Sequence, residues 1–394
     1  MDSKLYENAV CLAPMVRAGT LPLRLLSLRY GADLVYGEEI IDKKIAATTR
    51  IENKALNTID FVSRESVVFR TCEEEKAKVV FQIGTASAVH ALQAAETIAK
   101  DVAAVDINMG CPKHFSVQGG MGVALMSKPE VASDIIKTLK RNLNIPVSCK
   151  IRIKDTPEAT IDFAKGMELA GAAAIGVHAR QAHERPVDDA HWDALKPLPS
   201  ALSVPVLANG DIWTQEDIAR VRAETGCQSV LIARGALSNA SCFSAAGIVP
   251  YDENIKTYLK IAADTDNVFQ NTKYNISRML PIQETTTVSV ANIADTKSNA
   301  DLYGLFNLRE YYEAKQAEFE PFRQQVFNVP DRAYDDAHVR NQELYCNVCG
   351  IQLLSEQDVA LHEKGKRHKK KMRTLASQSV LTTPAAKRGK FDEE

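Results

Sequence analysis

The stretch Asp106-Ile107-Asn108-Met109-Gly110-Cys111-Pro112-Lys113 decides how this chain reads. It begins as the end of an apolar run, residues 102–105, and then turns at Gly110 and Pro112. An amide, a thiol and an ammonium therefore leave the end of one buried strand together. A strand buried on both faces of a parallel sheet reads as continuous Val/Ile/Ala rather than as an alternation. Residues 9–13, 32–36, 79–83, 103–108, 147–151, 173–178, 206–209 and 229–233 all read this way, which makes eight strands.

The segments between them carry amphipathic helical patterns long enough for parallel crossovers. The fold predicted is an α/β (β/α)8 TIM barrel over residues 1–249, with residues 56–71 as an inserted hairpin; a doubly wound open sheet is the alternative. Polar residues recur at the strand exits: Pro14 and Met15, Glu38 and Glu39, Gln82, Asn108 and Cys111, Lys150 and Arg152, His178 and Arg180, Asn209 to Asp211, and Arg234. Barrel enzymes place their sites on this face, and packing does not explain a full ring of such residues.

Beyond residue 249 the rhythm changes. Ile255, Tyr258, Leu259 and Ala262, then Ile276, Met279 and Leu280, recur at helical spacing, and residues 301–326 read as a third helix. Residues 250–330 are expected to form a small all-α domain, 331–343 a polar linker, 344–373 a Cys/His unit and 374–394 a disordered basic tail.

Hydrophobic residues at 45% and charged residues at 25% describe an ordinary globular protein. No secretory leader and no run of some 18 apolar residues is visible, so a soluble cytoplasmic monomer is expected, with a nuclear fraction allowed by the basic C-terminal run. Most of the eight cysteines are scattered in apolar contexts, as reduced thiols are. The net charge of −2 is uneven: 10 Lys+Arg stand against 7 Asp+Glu from residue 341 onward, leaving 38 against 43 before it. Nucleic-acid affinity must then come from the tail or from local patches.

Asn209-Gly210-Asp211 and Ala233-Arg234-Gly235 end the seventh and eighth strands, where barrels bind phosphate. Lys150 could sit by the N1–C2 edge of a flavin, and Gln82 could hydrogen-bond its pyrimidine part. No GxGxxG follows an early strand, so a nicotinamide would have to visit the flavin's own pocket. Cys111 is the candidate general acid for reducing an electron-poor C=C bond.

The motifs Ala13-Pro14-Met15-Val16, Asn108-Met109-Gly110-Cys111-Pro112, Gly119-Gly120-Met121-Gly122, Lys150-Ile151-Arg152, Val177-His178-Ala179-Arg180 and Ala208-Asn209-Gly210-Asp211 together resemble the tRNA-dihydrouridine synthases over residues 9–280. Val35 to Glu39 and Asn271-Thr272-Lys273-Tyr274 look most like the eukaryotic members that reduce uridine 20 of the D-loop. The resemblance implies an FMN barrel followed by a tRNA-binding helical domain, reducing the uracil C5=C6 bond at the expense of NADPH or NADH. It implies that Pro14, Met15, Val16, Gln82, Lys150, His178, Asn209, Gly210, Asp211, Ala233 and Arg234 surround FMN. Cys111 would protonate C5 as hydride reaches C6, with Asn108, Lys113, Arg152 and Arg180 on the substrate side. Lys273 and Arg278 are candidate RNA contacts, and Glu38 and Glu39 are read as groups that orient their loop.

Cys346-x2-Cys349-x12-His362-x5-His368 has the ligand types and spacing of a tetrahedral Zn2+ site. The long His-x5-His gap and the surrounding lysines resemble the U1-type C2H2 finger of double-stranded-RNA binders. A finger thus stands where animal members carry a double-stranded-RNA-binding domain.

Overall fold

A computed structural model describes residues 2–63, 66–281, 288–323, 342–349, 351–352, 356–365 and 368–373. The chain forms two compact units, Met1–Asp331 and Arg332–Glu394. Most of the expected linker (331–341) and the whole tail (374–394) lie outside the described residues.

In the first unit, eight parallel strands form a closed ring: β1 (Val10–Leu12), β2 (Leu34–Tyr36), β3 (Val79–Gly84), β4 (Ala104–Asn108), β5 (Val147–Arg152), β6 (Ile175–His178), β7 (Val206–Asn209) and β8 (Ser229–Ile232). β1 pairs with both β2 and β8, and β2 pairs with β3, so the barrel closes without an edge. All eight predicted strands are present, each within two residues of its expected ends. Their near-continuous burial matches the apolar runs that encode them.

The crossover helices include α1 (Leu21–Arg29), α2 (Ala88–Ile98), α3 (Pro129–Asn142), α4 (Pro157–Ala170) and α5 (Gln215–Thr225). Local sequence sets their limits. In α3 the buried residues Ala132, Ile135, Ile136 and Leu139 follow the i, i+3, i+4, i+7 spacing of one helical face. α4 begins with a Thr156 cap and Pro157 in its first turn, and ends at a left-handed Gly171. α5 starts on a capping box between Thr214 and Asp217.

The insertion after β2 is larger than the expected hairpin. It is a three-stranded antiparallel sheet, Thr49–Asn53, Thr58–Ser63 and Ser66–Cys72. The residues before 56 escaped notice because Thr-Arg-Ile-Glu-Asn is polar and mostly solvent-facing, so it carries no apolar run. A buried Arg24 holds the sheet to the barrel, donating to Glu75 at 2.7 and 2.6 Å and to the Arg70 carbonyl at 2.6 Å.

After the barrel come α6 (Tyr251–Asp264), α7 (Phe269–Met279) and shorter helices at Val290–Asp295 and Asn299–Gly304, followed by α8 (Arg309–Phe319). The single helix expected over 301–326 is therefore broken, with Asn307 in a left-handed conformation at the break. α7 docks on the loop after β1: Asn271 Nδ2 donates to the Arg17 carbonyl at 2.5 Å and Thr20 Oγ1 donates to Asn271 Oδ1 at 2.9 Å.

The second unit pairs Tyr345–Cys346 with Ile351–Gln352 in an antiparallel ribbon and follows it with a helix, Glu356–Lys364.

Candidate active site

The strand exits surround a cavity of about 1010 Å³, roofed by Tyr251 of α6 and by Tyr274 and Arg278 of α7. A smaller cavity of about 200 Å³ shares Arg152, His178, Trp213 and Arg234 with it. The larger one is lined by Pro14, Met15, Val16, Gln82, Asn108, Cys111, Lys113, Lys150, Arg152, His178 and Arg234. Arg180, Asn209, Gly210, Asp211 and Ala233 line the smaller one alone. The barrel thus brings every sequence-selected residue of this face except Glu38 into two adjoining spaces.

At the β7–β8 end the geometry is ionic. Arg180 Nη2 donates to both oxygens of Asp211, at 2.6 and 2.5 Å, and Arg234 Nη2 donates to Asp211 Oδ1 at 2.5 Å. Arg180 is only 3% exposed, and its Nε donates to the Asp188 carbonyl at 2.8 Å. Its guanidinium is therefore part of the small cavity's wall, and Arg180 does not line the larger cavity. Burial works to raise the Asp211 carboxyl, but the hydrogen bonds from Arg180 and the Ala190 N–H, with the two positive charges, hold it below the usual range. Gly210 is required here. Its φ is +130°, and a Cβ would come within 2.9 Å of Ala190 Cβ.

His178 is kept neutral, far below its ordinary pKa, by burial and by the cations Lys150, Arg152, Arg180 and Arg234. Because Arg180 Nη1 lies 3.2 Å from His178 Nε2 and can only donate, Nε2 is the acceptor and Nδ1 carries the proton. Lys150 is pushed down to about 8, chiefly by burial and then by Arg152.

At the β3–β5 end the geometry is neutral and directional. In-register pairing sets Gln82 beside Asp106 and Asp106 beside Ser148. Gln82 Nε2 and Ser148 Oγ donate to the two Asp106 oxygens at 2.8 and 2.7 Å. Asn108 Nδ2 donates to Gln82 Oε1 at 3.3 Å, and Asn108 Oδ1 accepts the Gly110 and Cys111 amides at 2.9 and 3.0 Å. Gln82 keeps one N–H free for a ligand. Burial pushes Asp106 up to about 6, against hydrogen bonds from Gln82 and Ser148 and the charge of Lys150.

The loop is held from its far side as well. The Val123 amide donates to the Cys111 carbonyl at 3.1 Å, and Gly122, at φ +60°, lies where a Cβ would sit 2.4 Å from that oxygen. Ser116 Oγ donates to Cys111 Sγ at 3.4 Å. Arg152 braces the loop from β5, its Nε donating to the Gly110 carbonyl at 2.9 Å.

Sequence reading missed Asp106, taken as part of a strand, and Trp213 and Tyr251, whose place on the cavity depends on packing. Glu38, on the loop after β2, accepts the Arg17 amide of the loop after β1 at 2.8 Å, whereas Glu39 lines the cavity. Lys273, a candidate RNA contact, donates from its Nζ to the Ala294 and Thr296 carbonyls at 2.8 and 2.6 Å. Tyr274 lies beside the guanidinium groups of Arg17 and Arg278, 6.0 and 5.4 Å from its ring centroid.

In the second unit Cys346, Cys349, His362 and His368 converge, their ligand atoms all within 4.8 Å of one another. His368 Nδ1 lies 3.4 Å from Cys346 Sγ, 3.6 Å from Cys349 Sγ and 3.0 Å from His362 Nε2. Two thiols and two imidazoles at these separations match the edges of a tetrahedral Zn2+ shell.

Residues 11–327 match the family described as dihydrouridine synthase (Dus). The tRNA-dihydrouridine(20) synthase [NAD(P)+] of Schizosaccharomyces pombe is 39% identical over 316 residues, covering 77% of this chain and 66% of that protein, just under two thirds of its length. The protein of the same name from Saccharomyces cerevisiae is 36% identical over 300 residues, 70% of this chain and 78% of the relative. A tRNA-dihydrouridine(20a/20b) synthase [NAD(P)+]-like protein of Homo sapiens is 32% identical over 240 residues, 60% and 70% of the two chains.

Proposed function

The chain belongs to the dihydrouridine synthase family, and from that premise we propose that it reduces the C5=C6 bond of a D-loop uridine in tRNA, U20 by similarity to its yeast relatives. The observation that carries the reading is the placement of Cys111. Its thiol stands on a loop fixed by four backbone hydrogen bonds, at the wall of a cavity large enough for a cofactor and a base.

The chemistry of the donor set fits FMN. Asn209, Gly210, Ala233 and Arg234 at the small cavity would hold its phosphate; Lys150, the Nδ1–H of His178, the remaining Gln82 N–H and the Pro14-Met15-Val16 wall would hold its ring. Reduced FMN bound there, itself reduced by NADPH or NADH, would supply hydride to C6. Cys111 holds the proton for C5, and Ser116 donates to its sulfur as charge develops there. Asn108, Lys113 and Arg152, which line the same cavity, would hold the uracil. Uracil in a folded RNA reaches such a pocket only when flipped out of its stack, and Tyr274 flanked by Arg17 and Arg278 offers the aromatic and cationic surface to receive its neighbours.

In the second unit Cys346, Cys349, His362 and His368 would hold Zn2+, and such ββα units fold with the metal. Lys364, Lys369, Lys370, Lys371 and Arg373 add salt-dependent affinity for RNA phosphates.

Two experiments test the reading. Cys111→Ala should retain FMN and lose dihydrouridine formation in tRNA by about 100-fold or more; full activity in that variant removes Cys111 as the acid. A zinc chelator should weaken tRNA binding and leave FMN bound, and unchanged tRNA affinity after deleting residues 341–394 refutes the role of the second unit.

A further inference from the structure

A uracil attached to ribose offers its pocket two acceptors, O2 and O4, and one donor, the N3–H between them. Enzymes that flip a base read it on that edge. The larger cavity is rich in donors: Lys113, Lys150, Arg152, Arg234 and Arg278 line it, and Glu39 is the one carboxylate among its described lining residues. Acceptors around the Cys111 loop are mostly taken. Gln82 Oε1 accepts from Asn108, and Asn108 Oδ1 accepts the Gly110 and Cys111 amides. The Gly110 carbonyl accepts from Arg152, and the Cys111 carbonyl accepts the Val123 amide. An N–H that enters beside this loop therefore meets its free acceptor in the Glu39 carboxyl.

The fold sets that carboxyl in place. Glu39 stands at the exit of β2, and the next two residues, Ile40 and Ile41, pair with Ile83 and Gly84 of β3. Its Oε1 packs on Gly84, where a Cβ would sit 2.6 Å from it and push the carboxyl aside. That oxygen is sealed, with no hydrogen-bond partner among the described residues, so Oε2 is the atom turned to the cavity. Asn108 and Lys113, two of the residues that would hold the uracil, both act on the same carboxyl, the first by hydrogen bonding and the second by its charge.

We propose that Glu39 determines base specificity, its Oε2 accepting the N3–H of the flipped uracil. Cytosine has a bare lone pair at N3, which would face the carboxylate without a hydrogen between them, and such a mismatch is refused. The assignment rests on the reading of this cavity as a uridine-reducing site. The flavin ring carries an imide N–H of the same chemistry; the uracil is assigned because Asn108 and Lys113 flank the carboxyl.

The test is Glu39→Met, which keeps the bulk of the side chain and removes both oxygens. The kcat/KM for dihydrouridine formation in tRNA should fall by about 10- to 100-fold, as when a hydrogen bond to a charged group is lost. Glu39→Gln keeps an oxygen and should be better than Glu39→Met by about threefold or more. FMN content, and the rate at which NADPH reduces the flavin without tRNA, should stay within about twofold of wild type, since the base takes part in neither. A tRNA with N3-methyluridine at the reduced position, used as a competitive inhibitor, reads the contact itself: the methyl should weaken binding to wild type by about fivefold or more beyond its effect on Glu39→Met. A loss under tenfold, no gain in Glu39→Gln, or equal methyl penalties overturns the proposal. Slower flavin reduction or lost FMN in Glu39→Met overturns it in favour of the flavin. Should Glu39→Met fail to fold, Gly84→Ala, whose Cβ would displace the carboxyl, takes its place under the same criteria.

If wild type forms no dihydrouridine, the reading of the cavity has failed, and the contact is judged by binding alone. Calorimetric titration of the full chain with uridine 5′-monophosphate and with its N3-methyl derivative should then show a preference of about fivefold or more for the first, abolished in Glu39→Met. No preference, or no binding of either, overturns the contact.

Discussion

Asp211 and Asp106 stand at opposite sides of one barrel mouth, and the chain uses them in contrary ways. Asp211 receives two guanidinium groups and a backbone amide, is partly open to solvent, and has its carboxyl held below the ordinary range. Asp106 is sealed, receives only a hydroxyl and an amide, and is pushed up to about 6. The number of charged donors decides between these fates, because burial penalises both carboxylates. Asp211 is a permanent anion that ties two cations into a rigid wall. Asp106 is an anion held at a cost in stability, and the groups that donate to it are neutral dipoles rather than charges.

The largest expected effect comes from breaking the ionic side. Asp211→Asn leaves Arg180, almost wholly buried, without its carboxylate. Removing one partner of such a pair costs roughly 3 kcal/mol. The variant should unfold at a lower denaturant concentration with an unchanged slope and should lose FMN during purification. If its midpoint matched that of the wild type, the wall would not be ionic in the sense drawn here.

A smaller and oppositely signed effect belongs to Asp106. Its folded pKa, about 6, exceeds the ordinary value of 3.8 from which it is raised. The folded state therefore binds the proton more readily, and the burial cost is fully present above pH 6. That cost is relieved as pH falls from 6 toward 4. Wild type should gain stability relative to Asp106→Asn across this window, by a difference on the order of 2 kcal/mol. Unfolding midpoints of the two proteins measured from pH 7.5 to 4.5 give the slope. A difference that stays flat would mean that Asp106 titrates as it does in water.

The contrast also explains what could be seen in the sequence. The eight strands were legible because full burial leaves a continuous apolar run, and the strand exits were legible because polar residues interrupt those runs. Arg234 and Asp211 announced themselves beside glycines at β7 and β8. Asp106 did not: it stands within its strand, and its meaning comes from register, which places Gln82 on one neighbouring strand and Ser148 on the other. Those partners lie 24 and 42 residues away, beyond any local pattern. The partners of Lys273 were hidden for a related reason, since its two carbonyls lie 21 and 23 residues ahead on a segment whose packing the sequence does not reveal. The motif containing it is structural as much as functional: Asn271 docks α7, Lys273 ties down the next helix, and Tyr274 faces the cavity.

Glu39 offers the finest test, because it lies between the two extremes. It lines the cavity; its Oε1 is sealed against Gly84 without a hydrogen-bond partner among the described residues, and a Cβ on that glycine would sit 2.6 Å from the oxygen. Burial raises its carboxyl to about 6, while Lys113 and Asn108 pull the other way. Like Asp106 it has an ammonium nearby, Lys113 where Asp106 has Lys150; unlike Asp106 it is incompletely buried. If donor charge and burial together order these carboxylates, Glu39 must carry the same sign as Asp106 and a smaller magnitude. Glu39→Gln should be more stable than wild type above pH 6 by about 1 kcal/mol, and the advantage should shrink as pH falls from 6 toward 4.5. The same series of unfolding midpoints reads it. A variant that loses stability at pH 7.5 would show that Lys113 outweighs burial, and would move Glu39 to the ionic side of the comparison.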